Sequence, residues 1–310
     1  MVYPLSVLAS SLAHTANHPF HLTVGYLEGT LPAPDREVLR RILEDSGVSH
    51  DFVELGTDER FITQGHISPT TFAKFLLADL IPEQHLWLDA DTIALPGWDG
   101  IFDEIAQAPS PSRLVVAHRP ESASRGIGDG LAFNAGVLGW PAGERKPWSE
   151  HLSTFEVVDT QEQALFNLLY AHCLHQTSTR YNVLTYSIDQ LGRDDPPFIV
   201  HYAGAHKPWH LARGLTRRCR EYRCPWSAWF DAEDAFLRSA SPGLTATIQE
   251  LHRKALRSGT LRWRRDHSGF ILLRVLSYLG PLGGAVVGLL TLGGARLPRG
   301  THPVHPRPGR

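Results

Sequence analysis

The stretch Leu86-Trp87-Leu88-Asp89-Ala90-Asp91-Thr92-Ile93 constrains this chain more than any other. Three large apolar residues run straight into two carboxylates, a change that a buried strand tolerates only at its mouth. An unpaired ionised carboxylate is costly in an apolar interior, so Asp89 and Asp91 need water, a cation or strong donors. In extended chain, residues two apart point to the same side, which would let both carboxylates share one ligand. Hard divalent cations take such oxygens and in turn accept the phosphates of a nucleotide. The plainer reading of the same Asp-x-Asp string is a strand end followed by a solvated turn, since short motifs recur by chance.

The surrounding sequence alternates between the two hydrophobic periods. Leu5, Val7, Leu8 and Leu12 fit one face of a short helix, and His21 to Leu27 reads as a strand. Val38, Leu39, Ile42 and Leu43 recur at helical spacing from Asp35 to Ser46, before a short strand over Asp51 to Leu55. Ser68 before Pro69 is a helix-start signal, and that helix runs to about Leu80. Trp98 to Ala106 reads as a helix, Leu114 to Ala117 as a strand, and Phe133 to Trp140 as an apolar run. Ser122 to Gly130 is a glycine- and serine-rich loop. Gln161 to Leu174 reads as an amphipathic helix, and Phe198 to Tyr202 as a last buried strand. Strands and helices alternating in this way predict an α/β layered domain.

Composition narrows the function classes. A chain of 310 residues holds one large domain or two smaller ones. Its net charge of -2 gives no global electrostatic argument for nucleic acid. Three cysteines, Cys173, Cys219 and Cys224, are too few for a disulfide scaffold and suit a reducing compartment. No positively charged region precedes the apolar residues at the N-terminus, so no secretory leader is read there.

Further along, a set of motifs stands in a meaningful order: Ser68-Pro69 through Lys74, Leu88-Asp89-Ala90-Asp91-Thr92, Phe133-Asn134-Ala135-Gly136-Val137-Leu138, Glu162-Gln163-Ala164-Leu165-Phe166-Asn167, Tyr181-Asn182 and His201-Tyr202-Ala203-Gly204-Ala205-His206-Lys207-Pro208-Trp209. Over roughly residues 3 to 210 the chain resembles the family 8 glycosyltransferases, most closely the bacterial lipopolysaccharide galactosyltransferase and glucosyltransferase branch. The resemblance implies a GT-A fold, a Rossmann-like α/β domain with a mixed sheet that binds a nucleotide. It also implies a divalent metal, a UDP-linked sugar donor and retention of anomeric configuration.

On that resemblance, Asp89, Asp91 and His201 would ligate one cation. A nitrogen among oxygen ligands suits Mn²⁺ better than Mg²⁺, although Mg²⁺ remains open. Gly204 would let the backbone approach the diphosphate, and Lys207 would set an ammonium on the leaving phosphate. Asn134, Ala135 and Gly136 would face the donor sugar. Lys74 stands where relatives usually carry arginine, which keeps the charge but loses the bidentate fork. Glu162 and Gln163 stand where the family has aspartate then glutamine, the first for sugar hydroxyls and the second near the reacting carbon. Asp129 would touch donor or acceptor, or remain a solvated loop aspartate.

Some features depart from the family. Its opening strand precedes the residues matched by Tyr3-Pro4-Leu5, so the first strand of the sheet is expected to be missing. A GT-A domain is expected over 1–235 and a helical, basic and apolar tail over 236–310. In the tail, Arg213, Arg217, Arg218, Arg220 and Arg223 stand among Tyr222, Trp226 and Trp229. Ser241-Pro242 starts a helix stopped by Gly259, and Arg262, Trp263, Arg264 and Arg265 follow. No charge interrupts Val275 to Ala295. Arginine with tryptophan beside an apolar segment suits an anionic membrane surface. The expected place is therefore peripheral, on the cytoplasmic face of the cell membrane, with a saccharide or glycolipid acceptor; a span over Val275 to Ala295 and a tail docked on the domain are the alternatives. Two rival readings stand beside this one: a non-catalytic sugar-nucleotide-binding protein, and a haloacid-dehalogenase-like phosphatase. The phosphatase motif wants threonine or valine where this chain has Ile93.

Overall fold

The computed structural model describes residues 1–61, 68–108, 113–117, 133–152, 161–170, 172–185, 195–204, 207–210 and 226–258. The chain opens with α1 (Val2–Thr15), β1 (His21–Leu27), α2 (Ala33–Asp45) and β2 (Ser49–Leu55). A 3-10 turn over Pro69–Phe72 then leads into α3 (Ala73–Leu80). Ser68 caps that turn as expected, its side chain accepting from the Thr70 amide. Next come β3 (His85–Leu88), β4 (Thr92–Ala94), α4 (Ile101–Ala106), β5 (Leu114–Ala117) and β6 (Val137–Trp140). The remainder comprises α5 (Gln161–Tyr170), β7 (Leu174–Thr177), β8 (Val183–Leu184), β9 (Ile199–His201), α6 (Ser227–Ser239) and α7 (Pro242–Ser258).

The strands form three ladders. β1 and β2 run parallel, from His21 opposite Ser49 to Leu27 opposite Leu55. A mixed sheet has the order β3-β6-β5-β7, with β7 parallel to β5 and the other pairs antiparallel. The third ladder has the order β4-β9-β8. Among the described residues, β1 bonds only to β2 and β3 only to β6.

Alternation along the strands sorts side chains into two layers. Leu114, Val116, Leu138 and Trp140 pack with Phe75 of α3 and Leu165 and Phe166 of α5. Val115 and Val137 point the other way, toward Leu8 and Leu12 of α1 and Ile101 and Ile105 of α4. This two-faced burial defines the α/β fold and leaves the strand ends free to carry polar groups.

Two expectations need correction. The helix predicted over Gln161 to Leu174 stops at Tyr170, where the Cys173 amide bonds the Tyr170 carbonyl at 2.8 Å. Leu174 instead opens β7, since pairing with β5 satisfies its backbone better than another helical turn. Trp229 belongs to α6 and is fully buried, so it is not available to a membrane surface. Its ring packs 4.9 Å from Trp209 and edge-on to Tyr202 at 5.8 Å. Helices α6 and α7 share one apolar cluster with α1, α2 and β9. The boundary expected at residue 235 therefore falls within α6. Among the described residues no helix is long and apolar enough to cross a membrane. The stretch from Val275 to Ala295 lies outside them.

Candidate functional site

Strand ends from two of the ladders meet around Asp89 and Asp91. The two aspartates occupy a tight turn between β3 and β4, closed by the Thr92 amide on the Asp89 carbonyl at 3.1 Å. It is this turn, and not the pleat of one continuous strand, that directs both carboxylates to one place. β4 pairs with β9 so that Thr92 lies opposite His201, which sets the imidazole beside Asp91. The Asp91 carbonyl fixes that register further by accepting the Tyr202 amide at 2.8 Å. From the other side, the Asp89 amide bonds the Gly136 carbonyl at 2.8 Å, extending the β3–β6 ladder by one step.

One ligand atom from each of Asp89, Asp91 and His201 lies within 4.8 Å of the others. His201 Nε2 stands 3.2 Å from Asp91 Oδ1 and 3.9 Å from Asp89 Oδ2. The ring is buried at 2% exposure, while the Asp89 carboxyl keeps 29% of its surface open. Two carboxylates and an imidazole at this spacing could hold a divalent cation. A close backbone approach builds the socket: a Cβ on Gly136 would lie 2.0 Å from His201 Cε1. Only glycine leaves the ring room at this distance. The structure therefore assigns Gly136 a contact with a candidate ligand that its place in the sequence did not reveal.

The flanking cations are already engaged. Lys207 Nζ bonds Asp91 Oδ2 and, at 2.8 Å, the Tyr202 carbonyl. Burial works against ionisation of Asp91, but the charges of Lys207 and His201 outweigh it and hold its carboxyl well below the usual carboxylate range. Lys74 is 1% exposed and reaches three acceptors: Ala135 O at 3.1 Å, Glu162 Oε1 at 3.2 Å and Asp89 Oδ1 at 3.3 Å. Burial alone would lower its pKa, but Asp89 and Glu162 prevail and raise it. Its three protons are matched by those three acceptors. Lys74 thus ties the Asp89 turn to the start of α5. Trp87 adds a contact that apolar patterning hid, its indole N–H donating to Asp89 Oδ1 at 2.7 Å.

Asn134, Ala135 and Gly136 form the bend before β6, with the Asn134 side chain accepting the Gly136 amide at 3.0 Å. Gly204 adopts φ +94°, a conformation that side chains rarely allow, in the connection after β9. Gln163 lies in the first turn of α5, with its side chain outside the described set, and Asp129 lies outside the described residues. Asn182, quoted in the sequence only as part of a motif, is 1% exposed and bonds His201 directly at 3.1 Å.

Residues 2–212 match the sequence profile described as glycosyl transferase family 8. The chain belongs to this family. A curated relative, glycosyltransferase GlyD of Streptococcus pneumoniae serotype 4 (strain ATCC BAA-334 / TIGR4), is 26% identical over 197 residues. That match takes in 55% of this chain but only 22% of the relative's length. Among solved structures, an active-site glutamine-to-glutamate mutant of LgtC is 22% identical at a TM-score of 0.52. The match covers 67% of this chain and 86% of LgtC. The bifunctional glycosyltransferase WbbM, solved in its apo form, is 14% identical at a TM-score of 0.52, covering 80% of this chain and 49% of that one. At these identities the likeness is one of fold, and the fold is GT-A. Family 8 membership removes the phosphatase reading, and the Asp89, Asp91 and His201 group stands as a possible metal site in a family that generally uses a divalent metal and a nucleotide sugar.

Proposed function

We propose that this family 8 protein transfers a hexose, galactose or glucose, from a UDP-sugar to a saccharide or lipopolysaccharide-type acceptor with retention of configuration. The observation carrying this reading is the convergence of Asp89, Asp91 and His201 on one point from separate ladder ends. A divalent cation held there, Mn²⁺ by the donor set, would neutralise charge on the diphosphate leaving group. Lys207 would turn its ammonium from Asp91 toward the same phosphates, and Gly204 would let the backbone come close to them. Asn134, Ala135 and Gly136 would bound the sugar, with Glu162 at its hydroxyls. An amide oxygen is a poor nucleophile, so Gln163 would stabilise the oxocarbenium-like charge while the acceptor hydroxyl attacks the face that UDP leaves. Asp129 would touch donor or acceptor. The basic and apolar C-terminal segment would hold the enzyme on the cytoplasmic face of the membrane, beside a lipid-linked acceptor.

The test is a screen of UDP-galactose, UDP-glucose and related donors for Mn²⁺-dependent release of UDP. Turnover of at least one donor, abolished in Asp91→Asn, is expected. UDP-sugar binding without turnover of any donor or acceptor would favour the non-catalytic alternative. Truncation after Gly269, followed by membrane fractionation, checks the attachment. Retention of the shortened chain in the membrane fraction would refute that role for the tail.

A further inference from the structure

The polar contacts behind His201 run in one direction, and two main-chain groups fix that direction. The Gly136 amide can only donate, so the atom it meets at 3.0 Å is the Asn134 side-chain oxygen. The Asn134 main-chain carbonyl can only accept, so the Asn182 atom 3.1 Å away must be its NH₂ nitrogen. The same nitrogen lies 3.1 Å from Asn134 Oδ1, a second acceptor. With the amide set this way, Asn182 Oδ1 faces His201 Nδ1 at 3.1 Å. Turning the amide over would bring its oxygen against two other oxygens and lose both bonds. An oxygen facing Nδ1 requires a hydrogen on Nδ1, which leaves Nε2 as the ring nitrogen that a cation can take. Nε2 is the atom that faces Asp89 and Asp91.

We propose that Asn182 is a positioning residue: its amide holds His201 in the Nδ1–H tautomer, so that Nε2 meets a divalent cation as a ready ligand. The inference rests on the reading of Asp89, Asp91 and His201 as a metal site, and it adds the residue that selects which ring nitrogen is offered. Asn182 is placed for this by the ladder, since β8 pairs in parallel with β9 and sets Leu184 opposite His201. Burial of Asn182 and His201 at 1% and 2% exposure keeps water from supplying a substitute partner.

The experiment uses the full chain labelled with ¹⁵N-histidine. The His201 resonances are identified by their loss in His201→Gln, and long-range ¹H–¹⁵N spectra are recorded with and without Cd²⁺ as a diamagnetic probe. Mn²⁺ affinity is measured in parallel from the electron paramagnetic resonance of the free ion. Wild-type protein is expected to carry its imidazole hydrogen on Nδ1 and to bind Cd²⁺ through Nε2. Asn182→Leu, which offers no acceptor, should lose the tautomer preference and bind Mn²⁺ about 10–100-fold more weakly. Asn182→Asp keeps an acceptor toward Nδ1 but sets its second oxygen against both Asn134 oxygens, so it should restore the Nδ1–H signal and only part of the affinity. Wild-type Cd²⁺ ligation through Nδ1, or undiminished Mn²⁺ affinity in Asn182→Leu, would overturn the proposal. So would equal losses in folded Asn182→Leu and Asn182→Asp, which would mark a packing role. Should Asn182→Leu not fold, the wild-type spectrum and Asn182→Asp still decide. Failure of the wild-type chain to bind either ion is a different result and would end the metal-site reading itself.

Discussion

At the scale of single residues, the site is held by contacts with little room for substitution. Gly136 is the clearest case, because an added methyl would overlap the His201 ring. Gly136→Ala should displace that ring, cost about 1–3 kcal/mol in thermal unfolding, and weaken Mn²⁺ binding in titrations. Unchanged metal affinity would show that the ring tolerates the methyl. Lys74 and Glu162 form a second constrained unit. In Lys74→Met, Asp89 and Glu162 lose their shared cation, and removing one partner of such a buried group costs roughly 3–5 kcal/mol. Lys74→Arg and Glu162→Asp should each destabilise the protein and partly rescue one another when combined, with a coupling of about 0.5–3 kcal/mol in a double-mutant cycle. Strict additivity would mean that the two residues are not matched. His85, on β3, supplies a pH dependence. Burial, with a smaller contribution from Arg145, lowers its pKa from 6.5 to about 4. As pH falls through that window the unfolded chain takes the proton first, so stability declines from about pH 6.5 and levels off below about 4. His85→Gln should flatten that part of a denaturation-against-pH profile.

At the scale of elements, α6 is the segment that joins the C-terminal helices to the domain. Trp229 is fully buried between Trp209 and Tyr202, close behind the β9 end that carries His201. Trp229→Ala should therefore cost about 3–5 kcal/mol, measured by denaturant unfolding. A near-neutral result would detach α6 from the core. The same element shows where sequence reading stops. Strand β1 was legible to the residue, its exit marked by Gly29 and Pro32. Helix α6 was missed, because arginines and aromatic rings around Trp226 dominate the pattern while Phe230 and Phe236 carry the buried face. The end of α5 was misplaced since Leu174 continues the helical period, and only pairing with β5, distant in sequence, decides otherwise. The grouping of Asp89, Asp91 and His201 was legible through motif order, but the turn that aims the two aspartates was not. Tertiary contacts had to supply the Gly136, Asn182 and Trp87 roles, because nothing in local spacing marks them.

At the scale of the whole molecule, the candidate site joins ladders that are otherwise separate. Asp89 leaves the four-stranded sheet, whereas His201 ends a strand of the three-stranded ladder, and a shared ligand would tie them together. Binding that favours the folded state stabilises it by about 2.7 kcal/mol at 100 times the dissociation constant. Mn²⁺ and UDP together should therefore raise the unfolding temperature more than the two separate shifts combined. A simple sum would separate the nucleotide from the cation. The most direct measurement is the ligand set of bound Mn²⁺, read by pulsed electron paramagnetic resonance on the full chain. One imidazole nitrogen coupled to a single bound ion, absent in His201→Gln and joined by phosphorus coupling when UDP is added, is the expected result. An ion with oxygen ligands alone, or a spectrum indifferent to His201→Gln, would contradict the account.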